Sequence, residues 1–313
     1  MCSAAVGFNP GVKPRGSRLD RLYITIGAML SFLLMMGGEL TIFGLAIGIP
    51  GGLNFWFALV LVLLFTGLLG WGISRITFTP IHSSGPIPLL LTSIGLGFVL
   101  RGIFRIVFGL ERKFVDPAQA LVFLPDTTFR FDVLGGFFVT TTMLLVIALT
   151  LVAFGVLHLL LTRTDLGIAM RATSSNEDLA LLSGIPAFNI RQATWVLASA
   201  LAGLSGALLS ISSVAISPII GFDQILLILS AAILGGAGSV YGALFGAYII
   251  GLSIALIRGS PSLVGGVPVL GDVEPLIALL GVLSELPIAV AFFVLIVVLL
   301  VAPSGIAGTE VEA

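Results

Sequence analysis

Apolar residues run through this chain in long uninterrupted stretches, not in the one-sided or alternating patterns of a water-soluble fold. Seven segments contain no Asp, Glu, Lys or Arg: 22–38, 40–74, 76–100, 133–162, 192–222, 224–257 and 286–309. All but the first exceed the roughly 20 residues a helix needs to cross a bilayer core. Strands of a transmembrane barrel would instead alternate over about ten residues. The pattern therefore predicts an all-α, polytopic helical membrane protein of about eight transmembrane spans. We place them at 23–46, 55–77, 86–109, 136–161, 189–212, 223–237, 239–257 and 286–302. Pro50-Gly51-Gly52 parts the first two, and Pro80 with Ser83-Ser84-Gly85-Pro86 parts the next pair. The sixth is short and ends in Gly235-Gly236, the mark of a broken or re-entrant helix, which needs protein or a water-filled cavity around its freed backbone. Residues 258–285 form a Gly/Pro-broken connection that could lay a short apolar helix, 275–284, on the membrane surface.

Composition sharpens this. Charged residues are 9% of the 313 and mean hydropathy is +1.21, against about 25% charged in a soluble domain. A net charge of -1 lacks the basic face that nucleic-acid binding requires. One cysteine, Cys2, excludes an internal disulfide and a cysteine metal site, and residues 1–21 contain no apolar core of a secretion signal. With both ends inside, inner segments carry Lys13, Arg15, Arg18, Arg21, Arg75, Arg163, Arg171 and Arg191. Outer segments carry Arg101, Arg105, Arg112, Lys113, Arg130 and Arg258, so the positive-inside rule leans towards this orientation.

Small residues recur every fourth position at Gly238, Gly242 and Gly246, and one span earlier at Ala198, Ala202 and Gly206. Such stripes let helix backbones approach closely, so we assign the glycines to helix packing and not to ligand contact.

Catalytic chemistry finds little purchase, and no catalytic, cofactor-binding or metal-ligating residue is assigned. The two lysines, Lys13 and Lys113, do not follow glycine, which excludes a phosphate-binding P-loop. Gly203-Leu204-Ser205-Gly206 resembles the serine motif of rhomboid proteases, but that motif needs a histidine on a later span, and His82 and His158 both precede it. No His-Glu-x-x-His site can be built. Gly236-x-Gly238-x-x-x-Gly242 misses the dinucleotide spacing and follows a membrane helix instead of a strand.

The polar interruption at 162–188, TRTDLGIAMRATSSNEDLALLSGIPAF, is the most informative stretch. Ser174 or Ser175 can cap a short helix whose first turn carries Glu177 and Asp178, both suited to the helix dipole. Leu179, Leu182 and Ala180 would form a small apolar face, and Gly184-Ile185-Pro186 would stop the helix. Such an element either docks into a partner or lies on the bilayer surface.

At this loop a resemblance emerges. Arg171-Ala172-x-x-x-Asn176-x-x-x-Ala180-x-x-x-Gly184-Ile185 resembles the ATPase-coupling loop of ABC-importer permeases, in the form used by the high-affinity branched-chain amino acid permease family. Five further stretches resemble the same family in the same order: Arg75 to Pro80 with Ser83-Ser84, Leu91 to Leu96, Ser217 to Gly221, Ala231 to Ala243, and Ala302 to Ile306. Together they cover about residues 23–306, within a permease domain bounded at 22–306 and followed by a tail at 307–313. Two departures stand out. The family's additional first span and its Asn-x-Ala-His-Gly-Asp/Glu turn are not matched by Ser17 to Leu22, and the 258–285 connection is longer than usual.

The resemblance implies a permease subunit of an ATP-driven importer of branched-chain, apolar amino acids in the cytoplasmic membrane of a prokaryote. Its partners would be a homologous second permease subunit, two ABC ATPase subunits, an extracellular substrate-binding protein and the lipid bilayer, with no cofactor. Arg163, Arg171, Ala172, Asn176, Ala180, Gly184 and Ile185 would form the coupling loop, the two arginines anchoring it and Asn176 and Gly184 fixing its ends. Thr92, Ser93, Ser217 and Gln224 are the polar candidates for the substrate pathway, since Glu39, Arg101, Arg105 and Asp223 lie near span ends where snorkelling accounts for them. The family also admits urea or short amides as cargo. An ATP-independent secondary transporter or channel would predict repeated halves with charges at midplane, and neither is visible; a membrane subunit without a pathway is the third reading.

Residues 1–21 form a polar N-terminal segment with two readings, a solvated cytoplasmic tail or a start-site or reading-frame artefact. The second expects upstream DNA to encode an apolar run of about 20 residues followed by an Asn-x-Ala-His-Gly-like turn. Translation of that DNA in three frames checks it, and absence of such a run in every frame refutes it.

Overall fold

The computed structural model describes residues 24, 26–31, 38–42, 45–49, 55–81, 86–108, 113–114, 128–131, 137–213, 215–216, 220–236, 239–265, 281 and 286–301. The segments 1–21 and 307–313, most of the short helix expected at 275–284, and the site candidates Ser217 and Gly238 lie outside them.

Among the described residues five helices are long and apolar enough to cross a membrane, at Phe55–Ile81, Ile87–Ile106, Thr141–Arg163, Ala187–Ser212 and Tyr241–Arg258, and two shorter apolar ones lie at Ile225–Leu234 and Pro287–Leu300. In chain order the elements are a helical segment α1 at 24 and 26–31, strands β1 (Gly38–Ile42) and β2 (Leu45–Ile49), α2 (Phe55–Ile81) and α3 (Pro86–Phe108). There follow β3 (Lys113–Phe114), β4 (Thr128–Phe131), β5 (Phe137–Thr140), α4 (Thr141–Arg163), α5 (Asp165–Ser175), α6 (Glu177–Leu182) and α7 (Ala187–Ser212). The chain continues with β6 (Ala215–Ile216), α8 (Ile220–Asp223), α9 (Ile225–Leu234), α10 (Val240–Gly265) and α11 (Pro287–Val301). Among the described residues the strands make two-stranded ribbons, β1–β2, β3–β6 and β4–β5, so the fold is an all-α polytopic membrane protein with short ribbons between helices.

Two placements differ from the sequence reading. The span expected at 23–46 is helical at 24 and 26–31, but its later part enters an antiparallel hairpin, with Gly38 opposite Ile49 and Ile42 opposite Leu45. Gly37-Gly38 disfavours helix, and the β-branched Thr41, Ile42, Ile47 and Ile49 favour strand. Later in the chain, α10 runs on through Gly259-Ser260-Pro261 to Gly265, so the connection expected from residue 258 begins later.

The chain divides into two compact units, residues 2–127 with 140–224 and residues 128–139 with 225–313. In the first, α7 lies antiparallel along α2. Phe55, Ala58, Leu59 and Val62 of α2 form a buried cluster with Leu204, Ala207, Leu208 and Ile211 of α7, flanked by Leu30 and by Leu145, Val146, Leu149 and Ala153 of α4. Close approach is set by glycine: a Cβ on Gly203 would collide with the Thr66 side chain, and one on Gly206 with the backbone of Ile24 and Ala28. The Ser31 and Ser210 hydroxyls meet at 2.7 Å between α1 and α7, and each also donates or can donate within its own helix. The far end of α2 is irregular. Ser74–Phe78 widens to a π-turn, the Thr79 N–H bonding the Ser74 carbonyl five residues back. Pro80 explains it, because it has no N–H and its ring crowds the carbonyl four residues earlier.

In the second unit α9 and α10 form a tight antiparallel hairpin. Helix α9, at 10 residues, is about 15 Å long, half a bilayer core. It ends at Gly236, whose φ is +96°, with the Gly235 and Gly236 N–H groups bonded to the Ala231 and Ile233 carbonyls. Ser239 then caps α10 by accepting from the Gly242 N–H at 3.1 Å. A Cβ on Gly242 would fall on the Gly235 carbonyl and the Ser239 hydroxyl, and one on Gly246 on the Ala231 carbonyl. Ala231, Leu234 and Ile250 pack with Ala291 and Leu295 of α11.

Substituting Gly242 by Leu is expected to reduce the yield of folded protein, because a large side chain would part the α9–α10 backbones. Size-exclusion chromatography of detergent extracts checks this, and wild-type amounts of monodisperse protein would refute it.

Candidate functional site

The residues picked out between α4 and α7 build two small helices joined by caps at every end. Thr164 makes the first joint: its hydroxyl donates to the Leu160 carbonyl at the end of α4 and accepts from the Gly167 N–H at 3.2 Å at the start of α5. Asp165 complements the dipole in the first turn of α5. A Cβ on Gly167 would collide with the Leu160 and Leu161 carbonyls, so α5 can fold back onto α4 only with glycine there. The Arg171 guanidinium bonds the Leu161 carbonyl, satisfying one of the orphan acceptors that end α4. Arg163 is exposed in the last turn of α4, where a cation complements the dipole.

The second joint is Asn176. Its N–H bonds the Ala172 carbonyl, closing α5, while its Oδ1 accepts from the Leu179 N–H at 3.1 Å, opening α6. The cap expected at Ser174 or Ser175 is thus the next residue, because Glu177 and Asp178 already occupy the first helical turn; the Ser174 hydroxyl instead donates to the Arg171 carbonyl. Glu177 forms an ion pair with Arg191 of α7.

Helix α6 ends in a Schellman cap. The Ile185 N–H bonds the Ala180 carbonyl and the Gly184 N–H the Leu181 carbonyl, with Gly184 at φ +80°. The spacing Ala180-x-x-x-Gly184-Ile185 therefore has a physical meaning: a small residue that packs inward, the left-handed residue, and the residue that closes the loop. The single apolar face expected from Leu179, Leu182 and Ala180 is divided. Ala180 is 4% exposed, whereas Leu179 and Leu182 are 60% and 85% exposed.

The pathway candidates are less concentrated. Thr92 and Ser93 are neighbours on α3, about 100° apart around the helix. The Thr92 hydroxyl donates to the Pro88 carbonyl at 2.8 Å, and Ser93 is buried. Gln224 is half-buried between α8 and α9. A groove of about 420 Å3 lined by Phe65, Leu68, Leu69, Gly72, Ile73, Ile76 and Thr77 follows one side of α2 and includes none of them. Among the described residues, no three His, Cys, Asp or Glu side chains group as metal ligands.

The model of the family described as branched-chain amino acid transport system, permease component, matches residues 21–302. The chain belongs to that family. It is 30% identical over 250 residues to the high-affinity branched-chain amino acid transport system permease protein BraD of Pseudomonas aeruginosa, covering 79% of this chain and 73% of BraD. It is 33% identical to the probable branched-chain amino acid transport permease LivH of Methanocaldococcus jannaschii, over 71% of this chain and 64% of that protein. The LivH of Salmonella typhimurium is 28% identical over 92% of this chain and 84% of its own. No solved structure matches the chain significantly. The family is one of transport permeases and not an enzyme class, and this member is a multi-pass membrane protein.

Sequence reasoning missed Thr164 and Gly167, whose roles depend on α5 folding back on α4, and the Glu177–Arg191 pair, which the reversal at Gly184-Ile185-Pro186 brings together. A Thr preceding Asp165 was the one local signal available for the first of these.

Replacing Asn176 by Ala is expected to cost α6 about 1 kcal/mol of cap energy. Exchange of the Leu179 amide hydrogen should accelerate about fivefold, read by hydrogen–deuterium exchange, and an unchanged rate would refute the cap.

Proposed function

We propose that this chain is the permease subunit of an ATP-driven ABC importer that moves branched-chain, apolar amino acids across the cytoplasmic membrane of a prokaryote. It would act as one of two homologous permease halves, with two ATPase subunits on the inside and a substrate-binding protein outside. The observation that carries this reading is α6. A six-residue helix is too short to persist alone, yet this one is capped at both ends and held to α7 by Arg191, while Leu179 and Leu182 face outward. An apolar pair on a rigid projection suits insertion into a cleft on a partner.

Coupling needs only that α6 bind two ATPase states with different affinity. The differential contact is what tilts the membrane helices, and α6 transmits it because its caps resist bending. In this reading Arg163 stands at the interface with the ATPase, Arg171 and Ala172 hold the base of the loop, and Asn176, Ala180, Gly184 and Ile185 keep α6 in shape. Thr92, Ser93, Ser217 and Gln224 are proposed to contact cargo. A pathway with few charges favours apolar amino acids, and competition of leucine uptake by valine, urea and acetamide separates that cargo from the amides.

Copurification of an ATPase in detergent and nucleotide-dependent uptake of radiolabelled leucine are the expected results; full uptake without nucleotide would favour a secondary transporter or channel. Gly184→Val should uncouple transport. A side chain has open space there, so the change strains only the left-handed backbone, by about 1–2 kcal/mol. Uptake is expected to fall about tenfold with the amount of membrane-inserted protein unchanged, and undiminished uptake would refute the placement of the coupling loop.

A further inference from the structure

We propose that Gln192 and Thr79 form a positioning joint that passes movement of the coupling segment from α7 to the irregular end of α2. The proposal rests on reading α6 as the ATPase-docking element. It starts from Arg75 to Pro80, whose place in the fold that reading leaves without a task.

Phe188, Gln192 and Trp195 are spaced four and three apart, so they share one face of α7, in the first turns after the reversal at Gly184. Each grips the π-turn of α2 or its edge. The Arg75 guanidinium lies 5.9 Å from the Phe188 ring and 5.7 Å from that of Trp71. Phe78 stacks on Trp195 with ring centres 5.0 Å apart. Between them Gln192 Nε2 donates to Thr79 Oγ1 at 3.3 Å, and Thr79 Oγ1 donates to the Ser74 carbonyl at 3.0 Å. Thr79 thus closes the π-turn with both its N–H and its hydroxyl.

As placed, the Thr79 hydroxyl donates to Ser74 and Gln192 faces Thr79 with its NH2 group. Its Oε1 then points into protein, where among the described residues it accepts no hydrogen bond, although Gln192 is only 7% exposed. The π-turn supplies the give. Farther along, α7 and α2 are in close contact at Gly203 and Thr66, whereas the π-turn interrupts the regular helical ladder, as such turns frequently do at functional sites. Displacement of α6 enters α7 at its start, the Gln192–Thr79 bond makes the end of α2 follow, and the wide turn absorbs the difference.

The test uses the permease reconstituted in proteoliposomes with its ATPase and binding-protein subunits, measuring radiolabelled leucine uptake and phosphate release in the same vesicles. Nucleotide-dependent uptake by the wild type is expected; its absence overturns the coupling reading and the joint with it. Given an active wild type, Thr79→Val and Gln192→Leu should each lower leucine moved per ATP hydrolysed about fivefold, the worth of one hydrogen bond. Thr79→Ser, which keeps the hydroxyl, should retain wild-type coupling, and the double variant should be no worse than either single one. Wild-type stoichiometry in Thr79→Val, or a Thr79→Ser variant as poorly coupled as Thr79→Val, overturns the joint while leaving the coupling reading intact. Thr79 is exposed, so its two variants decide the matter even where Gln192→Leu yields no monodisperse protein.

Discussion

Helix backbones touch in a bilayer only where side chains are nearly absent, and the contact of α7 with α2 and α1 is of that kind. Lipid tails solvate Leu as well as another helix does, so apolar surface alone gives no reason to associate. What holds these helices is close van der Waals approach at Gly203 and Gly206 and the buried Ser31–Ser210 contact. The larger residues of the cluster, Phe55, Val62 and Leu208, fill the remaining space once the backbones are in place. The α9–α10 hairpin repeats the principle through Gly235, Gly242 and Gly246.

That seam gives the proposed coupling segment a firm base. Helices α5 and α6 are short and contain few buried residues, so propensity alone would leave them frayed. They persist because each end is satisfied: Thr164 and Arg171 against the end of α4, Asn176 between the two, and Gly184 with Ile185 at the close. The Glu177–Arg191 pair is half-exposed and contributes little energy, but it fixes the direction of α6 relative to α7. A projecting helix that is stiff and tethered to a packed helix can transmit a displacement; a flexible loop would dissipate it.

The family assignment and the geometry bear on one another at Asn176, Ala180, Gly184 and Ile185. These positions carried the resemblance, and in the fold they are the caps of α6. Residues at a cap are constrained by backbone geometry, so a short motif there reports shape more than chemistry. The proposed pathway residues Thr92, Ser93 and Gln224, by contrast, lie on α3 and at the α8–α9 junction and carry no comparable signature.

Much was legible in the sequence, because bilayer insertion is a one-dimensional constraint. Charge-free runs of sufficient length determine that the chain is polytopic and helical, and Gly184 beside a helical pattern determines where α6 stops, whereas its start was placed one or two residues early. The small-residue spacing at Ala198, Ala202 and Gly206 likewise identified the buried side of α7. Where local preference competes with hydropathy, the reading went astray: the span read at 23–46 is helical at 24 and 26–31, but Gly and β-branched residues turn 38–49 into a hairpin. Only the tertiary structure decided that Ala180 faces inward while Leu179 and Leu182 face out, that Gly167 lies against the end of α4, and that Gln192 meets Thr79. Those facts depend on which helix lies beside which, and residues 113 apart in sequence acquire their relation only when the chain has packed.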